Sequence, residues 1–175
     1  FAMFRRGEAL ALKWRSHVKE EDGWLKIRGT LTREDGELVI TSTKTAKSRR
    51  EVPITDRTAE ILQRLRARQA AERDRAGSQW NETGYVFTTA FGEPGDPRNA
   101  LRALKVAADQ AGLPSIGLHT LRHSAASTML ANGVPLKVVS EILGHSSISI
   151  TGDIYGHVSP DISVSAMQVL SDALR

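Results

Sequence analysis

Trp24-Leu25-Lys26-Ile27-Arg28, Glu37-Leu38-Val39-Ile40-Thr41 and Glu51-Val52-Pro53-Ile54 are three short runs of β-favouring side chains, and all fall within residues 24–54. Arg33-Glu34-Asp35-Gly36, between the first two runs, has turn chemistry. Lys44 to Arg49 is a polar, basic connection into the third run. Pro53 donates no backbone hydrogen bond, so the third strand is predicted at an edge of the sheet. These residues are the only strongly β-like part of the chain. They predict one small antiparallel sheet of three strands.

Outward from this stretch the pattern is helical. Residues 56–76 read as a long helix with Ala59, Ile61, Leu62 and Leu65 on its inner side and a charged later part facing solvent. Tyr85-Val86-Phe87 reads as a brief extended segment, and Gly92 to Pro97 as a loop. One helix follows to about Gly112 and another runs from about Thr120 to Ala131, stopped by Asn132-Gly133. Pro135 opens the next helix and Gly144 closes it. A short helix then carries Tyr155. Pro160-Asp161 starts a final helix with Val164, Met167, Leu170 and Leu174 as its apolar stripe. At the other end, Phe1-Ala2-Met3-Phe4 runs into Arg5-Arg6-Gly7-Glu8 with no helix cap. That predicts the tail of a helix begun upstream, and hence a fragment of a longer protein. Glu8 to Trp14 reads as a helical turn ending near the Trp. The expected fold class is α+β: a mainly helical domain with a small three-stranded antiparallel sheet.

A chain of 175 residues suits one compact domain and can bury a core without staples. It has no cysteine, which excludes structural disulfides, thiolate catalysis and Cys-ligated zinc. The formal net charge of +4 favours a polyanionic partner, with nucleic acid the default. There is no apolar run of membrane-spanning length and no signal peptide pattern, so no membrane partner is expected.

Four groups of residues carry chemistry. They are Arg5 to Glu8, the basic segment from Lys44 to Arg50, His119-Thr120-Leu121-Arg122-His123, and Leu143-Gly144-His145 followed ten residues after the His by Tyr155. Each has a plain structural reading by itself. Arg5 and Arg6 could be surface charges, Leu143-Gly144-His145 a helix C-cap, and Tyr155 a core-edge aromatic. His119 and His123 stand four apart on a predicted helix, a spacing that also suits zinc. No Glu follows His119 in the protease arrangement, however, and Arg122 between the two would repel a cation. The tryptophans Trp14, Trp24 and Trp80 read as packing residues.

Taken in order, the groups resemble the tyrosine recombinases, the family of phage-type integrases and bacterial Xer proteins. The family pattern is Arg-x-x-Glu, a hairpin Lys, His-x-x-Arg, Leu-Gly-His and then Tyr. The resemblance spans Arg5 to His157 and implies the catalytic-domain fold of that family. It implies that Arg5 and Arg122 stabilise the negative charge on the scissile phosphate, since guanidiniums stay charged and grip oxygens bidentately. It makes Tyr155 the nucleophile, His119 the candidate general base and Lys44 the candidate general acid for the leaving 5′ oxygen. Lys44 is preferred over Lys47 because the family places this Lys at the start of the hairpin. His145 would donate a hydrogen bond to the phosphate, and Glu8 would orient its neighbours. Lys47, Arg49 and Arg50 are expected to contact the DNA backbone. No metal or other cofactor is implied, because two guanidiniums take the role that metal ions fill in many phosphoryl-transfer sites.

The partners implied are double-stranded DNA at attachment sites, further copies of the chain in a tetramer on DNA through residues 161–175, and DNA-bending accessory proteins. The setting would be the cytoplasm of a bacterial or phage-infected cell. The reading by resemblance is site-specific integration and excision. Xer-like chromosome dimer resolution and a DNA-binding module without catalysis are the alternatives, with a metal hydrolase built on His119 and His123 more remote. The chain departs from the family in having Met3 where a Gly usually stands two residues before the first Arg. It also carries Gly152 and Gly156 around Tyr155, which predicts a loosely held tyrosine segment with its side chain away from Arg122. The N-terminal core-binding and arm-binding domains of the family are absent from residues 1–175.

Overall fold

The computed structural model describes residues 3–42, 48–113, 116–145, 147–155, 168 and 172. Helix α1 (Arg6–Leu10) and helix α2 (Trp14–His17) lead into strands β1 (Val18–Lys19), β2 (Trp24–Ile27), β3 (Gly29–Glu34), β4 (Glu37–Ser42) and β5 (Arg50–Pro53). Helices α3 (Asp56–Ala76), α4 (Pro97–Gln110), α5 (Leu118–Ala131), α6 (Leu136–Leu143) and α7 (Ile148–Tyr155) follow. This is the expected mainly helical α+β arrangement. The final predicted helix lies outside the described residues except at Gln168 and Asp172, which are helical.

The sheet differs from the expected one. Among the described residues the strands form two sheets, one in the order β1-β2-β5 and one pairing β3 with β4. Strand β2 pairs antiparallel with β5, with Leu25 opposite Val52 and Ile27 opposite Arg50. Strand β4 pairs with β3, with Leu31 opposite Ile40. The segment expected to be a four-residue turn is strand as far as Glu34. The turn itself is only Asp35-Gly36, both at positive φ (47° and 91°). Two positive φ values in a two-residue loop match the right-handed twist of the flanking strands and so allow a tight hairpin. Strand β5 lies at the edge of its sheet, as Pro53 predicted.

At the start of the chain, Arg5 is extended (φ −67°, ψ 150°) and caps the beginning of α1. The expected end of an upstream helix falls on residues that include 1–2, which lie outside the described residues. A Ser, Thr, Asp or Asn cap is missing, but Glu8 at the third helical position accepts the Arg5 backbone N–H at 2.8 Å. That is the acidic half of a capping box. Trp14 opens α2 instead of ending a helix.

One core cluster joins Phe4, Leu12, Val18, Leu25, Ile27, Val52, Leu62 and Val86, binding the β1-β2-β5 sheet to α3 and to the chain start. Leu10, Ala11 and Leu31 bind α1 to β3. Ala126, Val139 and Leu143 bind α5 to α6. Trp14 packs against the first cluster and donates its indole N–H to the buried Gln69 at 2.7 Å. Gln69 in turn donates to the carbonyls of Tyr85 and Val86, fixing the short extended segment beside α2. These contacts bring the start of α1, the inner edge of β5, the first turn of α5 and the end of α6 to one place.

Candidate active site

The site is organised by the C-terminus of α6. Gly144 takes the left-handed conformation (φ 65°, ψ 45°) that ends the helix sharply. A helix end leaves its last carbonyls without helical partners and carries partial negative charge. Three guanidiniums from three elements answer it. Arg50 on β5 donates from Nε to the Ile142 carbonyl at 2.6 Å. Arg122 on α5 donates to the Leu143 carbonyl, and also to the carbonyl of Met3. Arg5, before α1, donates to the Gly144 carbonyl at 3.3 Å. Three consecutive carbonyls thus collect three cations at one turn.

Glu8 ties two of these cations together. Its carboxylate accepts from Arg5 Nη1 at 2.9 Å and from Arg50 Nη1 and Nη2 at 3.1 and 2.8 Å. Burial by itself pushes this carboxyl up. The bonds and charge of Arg50, together with the Arg5 bonds, outweigh that and hold it below the usual carboxylate value. The pair is asymmetric in exposure: the Arg5 side chain is 44% exposed, whereas those of Glu8 and Arg50 are 1% and 6% exposed. Gly7 makes this packing possible. A Cβ there would lie 2.4 Å from Thr30 Cγ2 and 2.7 Å from the Leu31 carbonyl oxygen, so only glycine lets α1 sit so close to β3.

His145 follows directly. Its Nδ1 is 2.8 Å from the hydroxyl of Thr151, a fully buried residue on α7. Burial and the nearby charges of Arg122, Arg5 and Arg50 push the imidazole pKa down to about 4. His145 is therefore a neutral imidazole among cations, able to donate one ring N–H to an anion while the other ring nitrogen engages Thr151. Thr151 stands one helical turn before Tyr155.

Two clefts reach this turn. One, of about 650 Å³, is lined by Arg5, His119 and Arg122 together with Arg6, Arg33 and Arg98; its single carboxylate is Asp96. Asp96 is paired with Arg33 at 2.5 Å and caps the start of α4. The other cleft, of about 560 Å³, is lined by His145, Arg49, Arg50 and Lys137, with Glu141 as its carboxylate. Both are suited to an extended anion.

The structure thus brings together Arg5, Glu8, Arg122 and His145, and places His119, exposed on the first turn of α5, in the cleft of Arg5 and Arg122. Tyr155 ends α7, and its side chain lies outside the described residues, as do Lys44 and Lys47. The expectation of a loose tyrosine segment falls partly there too, although Gly152 is within the α7 helix. Arg49 is exposed beside His145. Arg50 requires correction. It was expected on the DNA backbone, but its side chain is buried and committed to Glu8 and Ile142. A guanidinium already neutralised inside the protein has no charge to offer a surface phosphate. Arg33, Arg98 and Thr151 were not singled out as functional residues from the sequence. Arg33 and Arg98 meet only through the pairing of the hairpin with α4, which no spacing reveals. Among the described residues no group of three or more His, Asp or Glu side chains could hold a metal ion, and no helix is long and apolar enough to cross a membrane.

A sequence model of the phage integrase family matches residues 2–161. A tyrosine recombinase XerC-like protein of Caldanaerobacter subterraneus subsp. tengcongensis is 44% identical over 126 residues, covering 70% of this chain and 32% of that protein. A prophage ps2 probable integrase of Lactococcus lactis subsp. lactis is 32% identical over 173 residues, covering 95% of this chain and 45% of that protein. The chain therefore spans less than half the length of these curated relatives. Among solved structures, a Tn1549 transposon integrase in complex with transposon right end DNA has the same fold, with a TM-score of 0.77 at 21% identity over 97% of this chain and 56% of that one. The family match covers every element of the arginine hub and α7 up to Tyr155, and the chain belongs to the phage integrase family, the tyrosine recombinases.

Proposed function

We propose that this chain is the catalytic domain of a site-specific DNA recombinase that integrates and excises phage or prophage DNA through a 3′-phosphotyrosyl intermediate. The observation that carries the reading is the meeting of Arg5 and Arg122 at the Gly144 turn beside a neutral His145. In the reaction the Tyr155 phenol oxygen attacks the scissile phosphorus. A P–O bond to tyrosine forms, the P–O5′ bond breaks, and the 5′ oxygen leaves as a hydroxyl. Tyr155, with a reference pKa of about 10, gives its proton to His119 as candidate base. Lys44 supplies the proton to the 5′ oxygen. Arg5 and Arg122 hold the non-bridging oxygens as charge grows on them, and His145 donates its free ring N–H to the same oxygens. Glu8 orients Arg5. One phosphodiester is exchanged for another, so rejoining is the same path reversed and needs no ATP.

The arginine-lined clefts favour double-stranded DNA as partner. Assembly of a tetramer through residues 161–175, DNA-bending accessory proteins and action in the cytoplasm of a bacterial or phage-infected cell belong to the same proposal. Xer-like resolution of chromosome dimers is the second reading, favoured by the 44% identity to a XerC-like protein. The test uses the full-length natural protein in EDTA with nicked duplexes tiled across the DNA flanking its gene. A covalent protein–DNA band on a denaturing gel, lost in Tyr155→Phe, is expected. DNA binding without that band would leave a binding module, and a divalent-ion requirement for cleavage would refute the mechanism. Adducts confined to a chromosomal dimer-resolution site would favour the Xer-like reading.

A further inference from the structure

We infer that Arg50 is a positioning residue, which through Glu8 fixes the orientation of Arg5 and through the Ile142 carbonyl fixes the Gly144–His145 turn. The inference rests on the proposed recombinase reading for the meaning of Arg5 and His145, but its geometry is independent of that reading.

Six hydrogen bonds define the arrangement. Arg50 holds both oxygens of Glu8 with its two terminal nitrogens, at 3.1 and 2.8 Å. Its Nε holds Ile142, and Nη1 reaches the Ser48 carbonyl at 3.4 Å. Glu8 then presents the same two oxygens to Arg5, one to the side chain at 2.9 Å and one to the backbone N–H at 2.8 Å. Arg5 is thus gripped at both ends by a carboxylate that is itself gripped by Arg50. The order of burial agrees with this relay: Arg50 and Glu8 are inside, and the half-exposed Arg5 faces the cleft.

Arg50 also shapes the turn. A Cβ on Gly144 would stand 2.6 Å from Arg50 Nη1 and 2.9 Å from Cζ, so the Arg50 side chain fills the space that a Cβ there would need. Gly144 is therefore required twice, for its left-handed φ and for this contact. Only a planar fork can meet a carboxylate end-on while its Nε points at a carbonyl on another element; a lysine ammonium cannot. Strand β5 is thereby tied to α1 and α6 by one side chain. Alternation along β5 places Arg50 on the inner face with Val52, while Glu51 and Pro53 face outward.

The test is a mutant cycle in the full-length protein with Arg5→Lys, Arg50→Lys and the double variant, read as the single-turnover rate of covalent adduct on nicked DNA. Arg50→Lys is expected to slow the adduct by about ten-fold or more with DNA affinity within about two-fold of wild type, and the double variant to be no slower than Arg5→Lys beyond about two-fold. A wild-type rate in Arg50→Lys, or losses that multiply, overturns the inference. If Arg50→Lys does not fold, Glu8→Asp replaces it in the same cycle: the charge stays, but a carboxylate one methylene shorter cannot hold both guanidiniums. The same absorption of its effect by Arg5→Lys is expected, and multiplying losses again overturn the relay. If wild type gives no adduct, the recombinase reading fails, and hydrogen exchange at the Arg5 amide judges the relay separately. Exchange about ten-fold faster in Arg50→Lys, or in Glu8→Asp if that variant replaced it, supports the relay, and unchanged exchange refutes it.

Discussion

Replacing Glu8 by Gln keeps the size of the side chain and removes its charge. Glu8 is almost fully buried and is bonded to two guanidiniums, one of them buried with it. The substitution leaves Arg50 as a buried cation without an anion, and breaking such a pair costs about 3–5 kcal/mol. For a domain of this size each kcal/mol moves the melting temperature by about 2–4 °C, so Glu8→Gln is expected to lower it by about 6–20 °C. The pH dependence gives a second handle. The folded Glu8 carboxyl lies below its ordinary value of 4.5, so its contribution is present above that value and is lost as pH falls through the folded pKa. The gap between wild type and Glu8→Gln should accordingly narrow as pH falls below about 4.5. Urea melts at several pH values would check both statements. A loss under about 1 kcal/mol, or a gap that stays constant with pH, would refute the claim that Glu8 is the anionic centre of the hub.

Thr151→Val retains shape but removes the hydroxyl 2.8 Å from His145 Nδ1; adduct formation should slow by about ten-fold and recover in Thr151→Ser, and equal rates in Val and wild type would show that the bond orients nothing. His145, with its pKa pushed down to about 4, should stay neutral through the physiological range. Because its folded pKa lies below its unfolded one, its contribution to stability rises with pH between about 4 and 6.5 and is flat above; an imidazole NMR titration midpoint above about 6 would contradict this. Gly7→Ala should destabilise by about 1–3 kcal/mol in a denaturant melt, since its Cβ would meet backbone that cannot move aside, and a neutral result would mean that α1 is free to shift on β3.

The helices were legible because their signals are local. Thr55 caps α3 by accepting the Thr58 N–H, Asp96 and Pro97 start α4, and Asn132-Gly133 and Gly144 stop α5 and α6. Strand pairing was not legible, because each strand chooses among partners far away in sequence. β2 took β5 across the whole hairpin, and the run holding β4 looked equally suitable. The site residues were legible as an ordered motif, but their division of labour was not. Ser48-Arg49-Arg50 reads as one basic run facing solvent. The alternation that buries Val52 also buries Arg50 and exposes Arg49, and this was the available signal. Similarly, Glu8 was identified, but its second partner lies 42 positions away and could come only from the fold.

The hub makes stability and chemistry depend on some of the same atoms, and the structure ranks how far. Arg5 is half-exposed, and without it Glu8 still holds Arg50 by two bonds. Truncating Arg5 therefore leaves no buried charge alone, and its loss should fall mainly on the reaction. Arg122 is different. It is buried, and it joins the Met3 carbonyl to that of Leu143. Its removal would free the chain start and uncap α6 together with any effect on phosphate, so lost cleavage in Arg122→Ala could come from either cause. Arg50 lies further along the same scale, with every bond that defines it inside the protein. A defect in recombination thus identifies a phosphate-binding arginine only when folding is measured alongside it, and of the three cations at the Gly144 turn, Arg5 is the one where the two effects separate most cleanly.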